Sequence, residues 1–439
     1  RLGGFCVTDI YFGDSLQNVV ANLGTARDKA SHSVYVDRIQ SFHELLVLYR
    51  NSWLARATVD YIAEDATRKW RVWRAKDDLI SKIEQVEKRL QLQKTVQDAL
   101  VAARLYGGAA IYINIEGEQP WDELDPSKIK RIDSLAIMTP NTITPMGRSK
   151  DIRSPFYGKP ETYRLMNTEN GGQVIVHASR LVVFEGVGIP DDVASISATD
   201  GWGDSILKSA FDPIMRYDSA MANVNSLLYE AKIDVLKFQG FARLAAEQPD
   251  LVSKRLHLQA AMKGINGTLV IDAQDEYDQK SASFAGITDV IGKMQDDVAG
   301  ASGMPVTRLF GRAAVGLSGS GDGDERVYYD RVTHLQKTEV SPAMHVLDNC
   351  IEKEATGTIS DAVWYEWTPL RQLTEKERVD IFATTAKAAR DLAGGQSGAI
   401  VPINALSDGV VSALTEQGAL PALEEAIIKY GAMSEQDDL

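Results

Sequence analysis

The chain has 439 residues, of which 44% are hydrophobic and 25% charged, an ordinary globular composition with length for two or three domains. That composition excludes a disordered protein, and a formal charge of -14 argues against a sequence-reading nucleic-acid binder with a basic face. It leaves room for contact with DNA, because net acidity limits the counterion-release attraction that would arrest a polyanion sliding past.

Residues 1–36, polar and weakly periodic from Phe12 to Val36, read as an extended arm of the kind that embraces a neighbour. Helical periodicity begins near Phe42 and runs to Trp70, with Leu46, Tyr49, Trp53, Ala57 and Tyr61 at spacings of three and four. A second helix carries Leu79, Ile83, Val86 and Leu90 on to Leu105 and stops at Gly107 and Gly108. At ~1.5 Å per residue it would be about 40 Å long. Strand-like runs follow at Ala110–Ile115, Leu135–Thr139, Thr162–Met166 and Val174–Phe184, the last with a turn at His177–Arg180. Helices followed by strands make this part a mixed α+β domain.

Asp212 before Pro213 signals a helix start, with a capping side chain and a proline where no backbone donor is needed. The helix runs to about Lys232, with Ile214, Tyr217, Met221, Val224, Leu228 and Ala231 on one face and polar residues opposite. A strand at Asp234–Gln239, a helix at Leu251–Lys263 and a strand at Thr268–Ile271 form a small inserted module. Its six basic residues, Lys237, Arg243, Lys254, Arg255, Lys263 and Lys280, face seven acids, a balance that is no DNA-binding patch. Another amphipathic helix spans Ile287–Ser302 and ends at Gly303 and Pro305.

The next stretch, GMPVTRLFGRAAVGLSGSGDGDERVYYD, is the most informative of the chain. Gly311, Gly316, Gly319, Gly321 and Gly323, with Ser318 and Ser320, make a composition that is costly to order and read as a mobile loop. A loop this long inside a compact domain is functional or disordered. Arg308 and Arg312 stand at its start, and Asp322, Asp324 and Glu325 at its end suit the first turn of a new helix. That helix runs from Asp324 to Glu354, and Pro342 should bend it. The remainder reads as helical, with capping-box spacing at Thr374–Glu377 and further helices from Pro402 and over Pro421–Tyr430.

Catalytic signatures are sparse. His43-Glu44 opens a run whose fifth position is Val47, so the zinc-protease spacing fails and a helix-surface pair is the better reading. SGSGDG lacks the lysine of a phosphate-binding loop and the acid spacing of a calcium loop. No Gly-x-Ser-x-Gly elbow occurs, and the six histidines are scattered. His177-Ala178-Ser179 is half of a phosphodiesterase His-x-Ser/Thr pair whose other half is absent, and reads as a turn. Trp53, Trp70 and Trp73 read as packing. Cys6 and Cys350 are too few and too distant for a disulfide framework or zinc cluster, so a reducing compartment is the simpler reading. No run reaches the roughly 18 apolar residues of a membrane span, no signal sequence is visible, and a start at Arg1 leads us to expect an upstream segment. Neither a metal nor a cofactor is expected.

The segments NVVANLGTARDK, ELLVLYRNSWLARATVDYIAEDATRKW and GMPVTRLFGRAAVGLSGSGDGDERVYYDRV, with the order of elements around them, resemble bacteriophage portal proteins across nearly the whole chain. The resemblance implies an α+β portal fold. Its parts would be an N-terminal arm (1–36), an α/β wing (37–211), a stem of two helices (212–232 and 286–303) and a small α/β clip (233–285). A tunnel loop (304–323), a long kinked helix with its return to the wing (324–373) and a helical crown (374–439) complete it. It also implies a homo-oligomeric ring of twelve copies at a capsid vertex, assembled in the host cytoplasm, through which double-stranded DNA is packaged and ejected. Terminase, a head–tail adaptor, the major capsid protein and scaffold would be its partners; a membrane would not. Arg308, Arg312, Gly316, Ser318, Gly319, Ser320 and Gly321 would face the DNA, and Lys237, Arg243, Lys254, Arg255 and Lys293 would make clip and stem contacts. Some members of this family are linked by name to an anti-CBASS cyclic-oligonucleotide phosphodiesterase, but a lone His-x-Ser does not carry that activity over. A tail or adaptor component is the other alternative.

Overall fold

The computed structural model describes residues 41–154, 156–166, 172–190, 202–229, 232–237, 241–262, 276–281, 286–311, 322–360, 362–371 and 375–392, with a few positions between 406 and 414. Helix α1 (Phe42–Asn51) opens on a capping box, in which the Ser41 hydroxyl accepts the Glu44 N–H and the Glu44 carboxylate accepts the Ser41 N–H. Glu44 is therefore a cap. The single helix expected to Trp70 is two, because Ser52 turns extended (φ -106°, ψ 121°) and its hydroxyl caps α2 (Trp53–Arg68). Serine offers the backbone this alternative hydrogen bond, which apolar spacing does not reveal.

Strand β1 (Arg71–Arg74) leads to α3 (Asp77–Leu90) and α4 (Leu92–Tyr106). The expected 40 Å helix is thus broken at Gln91, whose backbone is left-handed (φ 49°, ψ 41°). Leu90 and Leu92, on either side of the break, are both buried. Burying both offsets a left-handed residue without a glycine.

Six short strands follow: β2 (Gly108–Ile115), β3 (Ile132–Met138), β4 (Ile143–Pro145), β5 (Thr162–Met166), β6 (Gln173–His177) and β7 (Leu181–Glu185). They form two antiparallel three-stranded sheets, ordered β3-β2-β7 and β4-β5-β6. Strand alternation sends Ala109, Ile111, Ile113 and Ile115 of β2 into the main helical core. Ala110 faces the other way, into a second core with Ile143, Tyr163, Val176 and Trp202. Mixed helix and sheet around these cores agrees with the α+β expectation.

Helix α5 (Ile206–Tyr229) starts earlier than Asp212, and Pro213 lies inside it. The Ser205 hydroxyl accepts the Leu207 N–H, and buried Ile206, Leu207, Ala210 and Ile214 hold the added turns. Tertiary burial there outweighs the lost backbone hydrogen bond. The chain enters α5 through a tight joint. Gly107 (φ 88°) ends α4, and a Cβ on it would sit 2.2 Å from the Gly203 carbonyl oxygen; one on Gly108 would sit 2.1 Å from the Trp202 ring.

Beyond α5 come β8 (Lys232–Lys237), α6 (Phe241–Glu247), α7 (Pro249–Met262) and β9 (Glu276–Ser281). β8 pairs antiparallel with β9, while the second strand expected at Thr268–Ile271 lies outside the described residues. Helix α8 (Ile287–Ser302) then returns alongside α5, where Gln295 reaches the Tyr217 hydroxyl and Arg216 pairs with Asp297 at 2.9 Å.

A short helix α9 (Val306–Phe310) occupies the start of the stretch read as loop. After it come α10 (Asp322–Leu335) and α11 (Ser341–Thr356), joined by a π-helical turn over Gln336–Val340. Ser341 donates its N–H to the Gln336 carbonyl, and Pro342 follows in the next turn. The sequence predicts a bend at Pro342; the structure shows a π-helical turn before it, with the proline in the first turn of α11, where its missing N–H costs least. Strand β10 (Trp364–Trp367) pairs with β1, and α12 (Glu375–Leu392) follows. Of the helix expected from Pro402, Leu406, Ser407, Gly409, Val410, Val411 and Leu414 are described and are helical, while Pro402 itself and the helix expected at Pro421–Tyr430 lie outside the described residues.

Candidate functional site

The last turn of α2 gathers the chain around it. Asp65 lies on the buried face of that helix with Ile62 and Ala66, and its carboxylate meets two elements from the far end of the sequence. Arg308 of α9 donates through Nε at 2.9 Å and Nη2 at 3.3 Å, a side-on bidentate pair. Tyr328 of α10 donates its hydroxyl to the same carboxylate at 2.7 Å. The Arg308 guanidinium also lies over the Tyr61 ring, 4.2 Å from its centroid. Burial opposes the Arg308 charge, and the Asp65 carboxylate more than offsets it, holding the guanidinium above its ordinary range. Burial and the bond to Asp65 push the Tyr328 hydroxyl up as well.

The neighbouring residues of the same turn are gripped too. Gln336, buried in the π-helical turn, donates to the Ala66 carbonyl at 2.7 Å, and Arg68 donates to the Leu370 carbonyl at 3.0 Å. The helices before and after the glycine-rich segment therefore both rest on one turn of α2. Arg308, expected on the loop, stands on α9 and is committed to Asp65.

A second ionic cluster lies at the β1 end. The Arg71 side chain is fully buried, 2.7 Å from Glu87 and 2.6 Å from Asp348. Trp70 and Trp73 donate their indole N–H groups to Glu87, and the Tyr365 ring centroid lies 4.2 Å from the guanidinium carbon. Trp70 and Trp73 are packing residues, as expected, whereas Trp53 is 55% exposed and touches Phe310 edge-on.

The lone His-x-Ser is built into a turn. His177 Nδ1 accepts the Ser179 N–H at 3.3 Å and lies 2.7 Å from Ser179 Oγ, which itself accepts the Leu124 N–H at 2.8 Å. These bonds close the turn between β6 and β7 and fasten the loop before Pro126 to it. No cluster of three or more His, Cys, Asp or Glu that could hold a metal occurs among the described residues. Burial pushes the Cys350 thiol up to about 12, so it is no thiolate nucleophile. None of the described helices is long and apolar enough to cross a membrane.

Of the residues singled out in the sequence, Arg312, Gly316, Ser318, Gly319, Ser320 and Gly321 lie outside the described residues. Lys237 is on β8. Arg243 on α6 pairs with Glu247 at 3.7 Å, Lys293 on α8 pairs with Asp296 at 3.2 Å, and Lys254 and Arg255 are on α7. Asp65, Tyr328 and Arg71 went unnoticed in the sequence. For Asp65 the signal was present, since it follows Ile62 by three residues on the apolar stripe.

Comparison with known proteins identifies this architecture. The family model for phage portal protein matches residues 43–391. A Caulobacter sp. (strain RHG1) protein called anti-CBASS protein Acb1 is 36% identical, over 97% of this chain and 70% of its own length. A protein of Haemophilus influenzae (strain ATCC 51907 / DSM 11121 / KW20 / Rd) is 31% identical, over 86% of both chains. The fold is similar to a chain in the neck of a native GTA particle computed with C12 symmetry, at a TM-score of 0.53 and 11% identity, over 84% of this chain and 93% of that one. A match that begins inside α1 and ends inside α12 takes in both three-stranded sheets, the α5/α8 pair and the Asp65 cluster, and this chain belongs to the phage portal protein family.

Proposed function

We propose that the chain is the subunit of a twelve-membered ring at one vertex of a capsid, a conduit for packaging and ejecting double-stranded DNA. One observation carries the reading: two helices packed side by side, α5 and α8, flank a small β8–β9 module and lead through α9 and a glycine-rich segment into α10 and α11. In this reading residues 212–232 and 286–303 are the stem, 233–285 the clip, 304–323 the tunnel loop, 37–211 and 324–373 the wing and 374–439 the crown. The C12 symmetry used for the GTA neck supports twelve copies. The ring is a gate without a catalytic role: terminase and a head–tail adaptor dock on the clip, the capsid protein and scaffold surround the wing, and the motor's ATP site belongs to terminase. Arg312 and the glycine and serine residues up to Gly321 face the DNA. Lys237, Arg243, Lys254, Arg255 and Lys293 make the clip and stem contacts. The particle forms in the host cytoplasm and the subunit ends in the virion.

Negative-stain images of the purified chain test this. Annular particles with a central opening are expected, and a population of compact monomers under capsid-assembly conditions would end the reading.

A second reading, a cyclic-oligonucleotide phosphodiesterase, is favoured by the name of the Caulobacter relative. Against it stands the use of His177 and Ser179 in a turn. Incubation with cyclic oligonucleotides should give no turnover above background; turnover abolished by His177→Ala would favour the enzyme.

A further inference from the structure

We propose that Asp65 is a positioning residue that sets the distance between the two ends of the 312–321 segment and couples both to helix α2. The proposal rests on the portal reading for its purpose and on geometry for its substance. The element before the segment, α9, is held through Arg308, and the element after it, α10, through Tyr328. Both reach one carboxylate, which is buried on α2. A force applied to the chain between them therefore arrives at Asp65 from two sides.

The chemistry suits a fixed point. The bidentate pair resists rotation as well as separation, because a guanidinium and a carboxylate meet in one plane. The Tyr328 bond adds a third donor to the same acceptor group, and a buried setting strengthens all three. The support behind Asp65 is also rigid: Ala66 is gripped by Gln336, and Arg68 lies over the Tyr329 ring, 5.0 Å from its centroid. One turn of α2 thus registers α9, α10 and the π-helical turn together. Asparagine at position 65 would keep the shape while losing the charge, and phenylalanine at 328 would remove a single bond.

Hydrogen exchange of the full chain tests this. Asp65→Asn should speed exchange of amides 306–310 and 323–330 by roughly ten- to hundredfold, the effect of losing charge-assisted bonds. Amides of α3 and of β5 and β6 should keep their protection. Tyr328→Phe, the milder change, should speed 323–330 alone and serves if Asp65→Asn does not fold. Arg308→Lys should restore little of the loss seen with Arg308→Ala, because an ammonium cannot make the side-on pair. Unchanged exchange, or loosening spread evenly over the chain, would overturn the proposal, as would full rescue by lysine. The same variants are then assembled into particles, where Asp65→Asn should retain markedly less DNA than wild type while rings still form. Normal retention beside localised loosening would overturn the positioning role. Wild-type chain that forms no rings would overturn the portal reading, and localised loosening would still support the Asp65 attachment.

Discussion

Arg71 and Asp348 lie 2.6 Å apart with both side chains buried, so strand β1 is tied to helix α11 across most of the length of the chain. Glu87 shares the guanidinium from α3 at 2.7 Å. Burial opposes the Arg71 charge, and the two carboxylates outweigh that effect and hold it ionised.

Removing the arginine would leave two carboxylates buried without their cation. Arg71→Met should lower unfolding stability by about 3–5 kcal/mol, whereas Asp348→Asn, which leaves the Glu87 pair, should cost about 1–3 kcal/mol. Urea unfolding midpoints read both, and equal losses would contradict the shared pairing.

The joint into α5 has no space for a side chain. Gly108→Ala would drive its methyl against the Trp202 ring, which lies 2.1 Å from the Cβ position, and should cost about 1–3 kcal/mol. Gly107→Ala should cost more, by the ~1–2 kcal/mol of a left-handed alanine. Thermal unfolding followed by tryptophan fluorescence checks both; wild-type stability in either would contradict this packing.

Tyr163 gives the fold a signature at high pH. Burial, aided by the Glu185 charge, pushes its hydroxyl up from 10.0 to about 12, so the folded state favours the neutral phenol. Both states carry the neutral phenol below the unfolded value near pH 10, and stability falls as the unfolded chain ionises between that value and the folded value near 12. A two-unit difference corresponds to about 2–3 kcal/mol. Tyr163→Phe should leave stability at pH 8 nearly unchanged and flatten its decline between pH 10 and 12, in urea unfolding series of both proteins.

The glycine-rich segment makes a prediction about DNA. Replacing Gly319 and Gly321 by proline restricts the backbone on both sides of Ser320. Ring assembly should be unaffected, while particles carrying the variant should package or retain several-fold less DNA than wild type by genome quantification. Normal filling would count against a role for this segment at the channel.

Local physics was legible in the sequence. The helix-module-helix order, the stops at Gly107 and Gly303 and the turn at His177–Arg180 all follow from periodicity, caps and glycine, which act over a few residues. Where the reading slipped, a competing local bond or distant packing had won. Ser52 caps a new helix inside an unbroken apolar pattern, Gln91 turns left-handed between two buried leucines, and α5 extends through Pro213 because its first turns are buried.

By itself the sequence determined the mixed helical and strand character and the family to which the chain is similar, because these depend on patterns that neighbouring residues write. Only the tertiary structure decided that β1 pairs with β10, that Arg308 belongs to Asp65 and that Arg71 is shared between Glu87 and Asp348. Arg308 and Asp65 are 243 residues apart, and no periodicity reports which charge will meet which once both have left water.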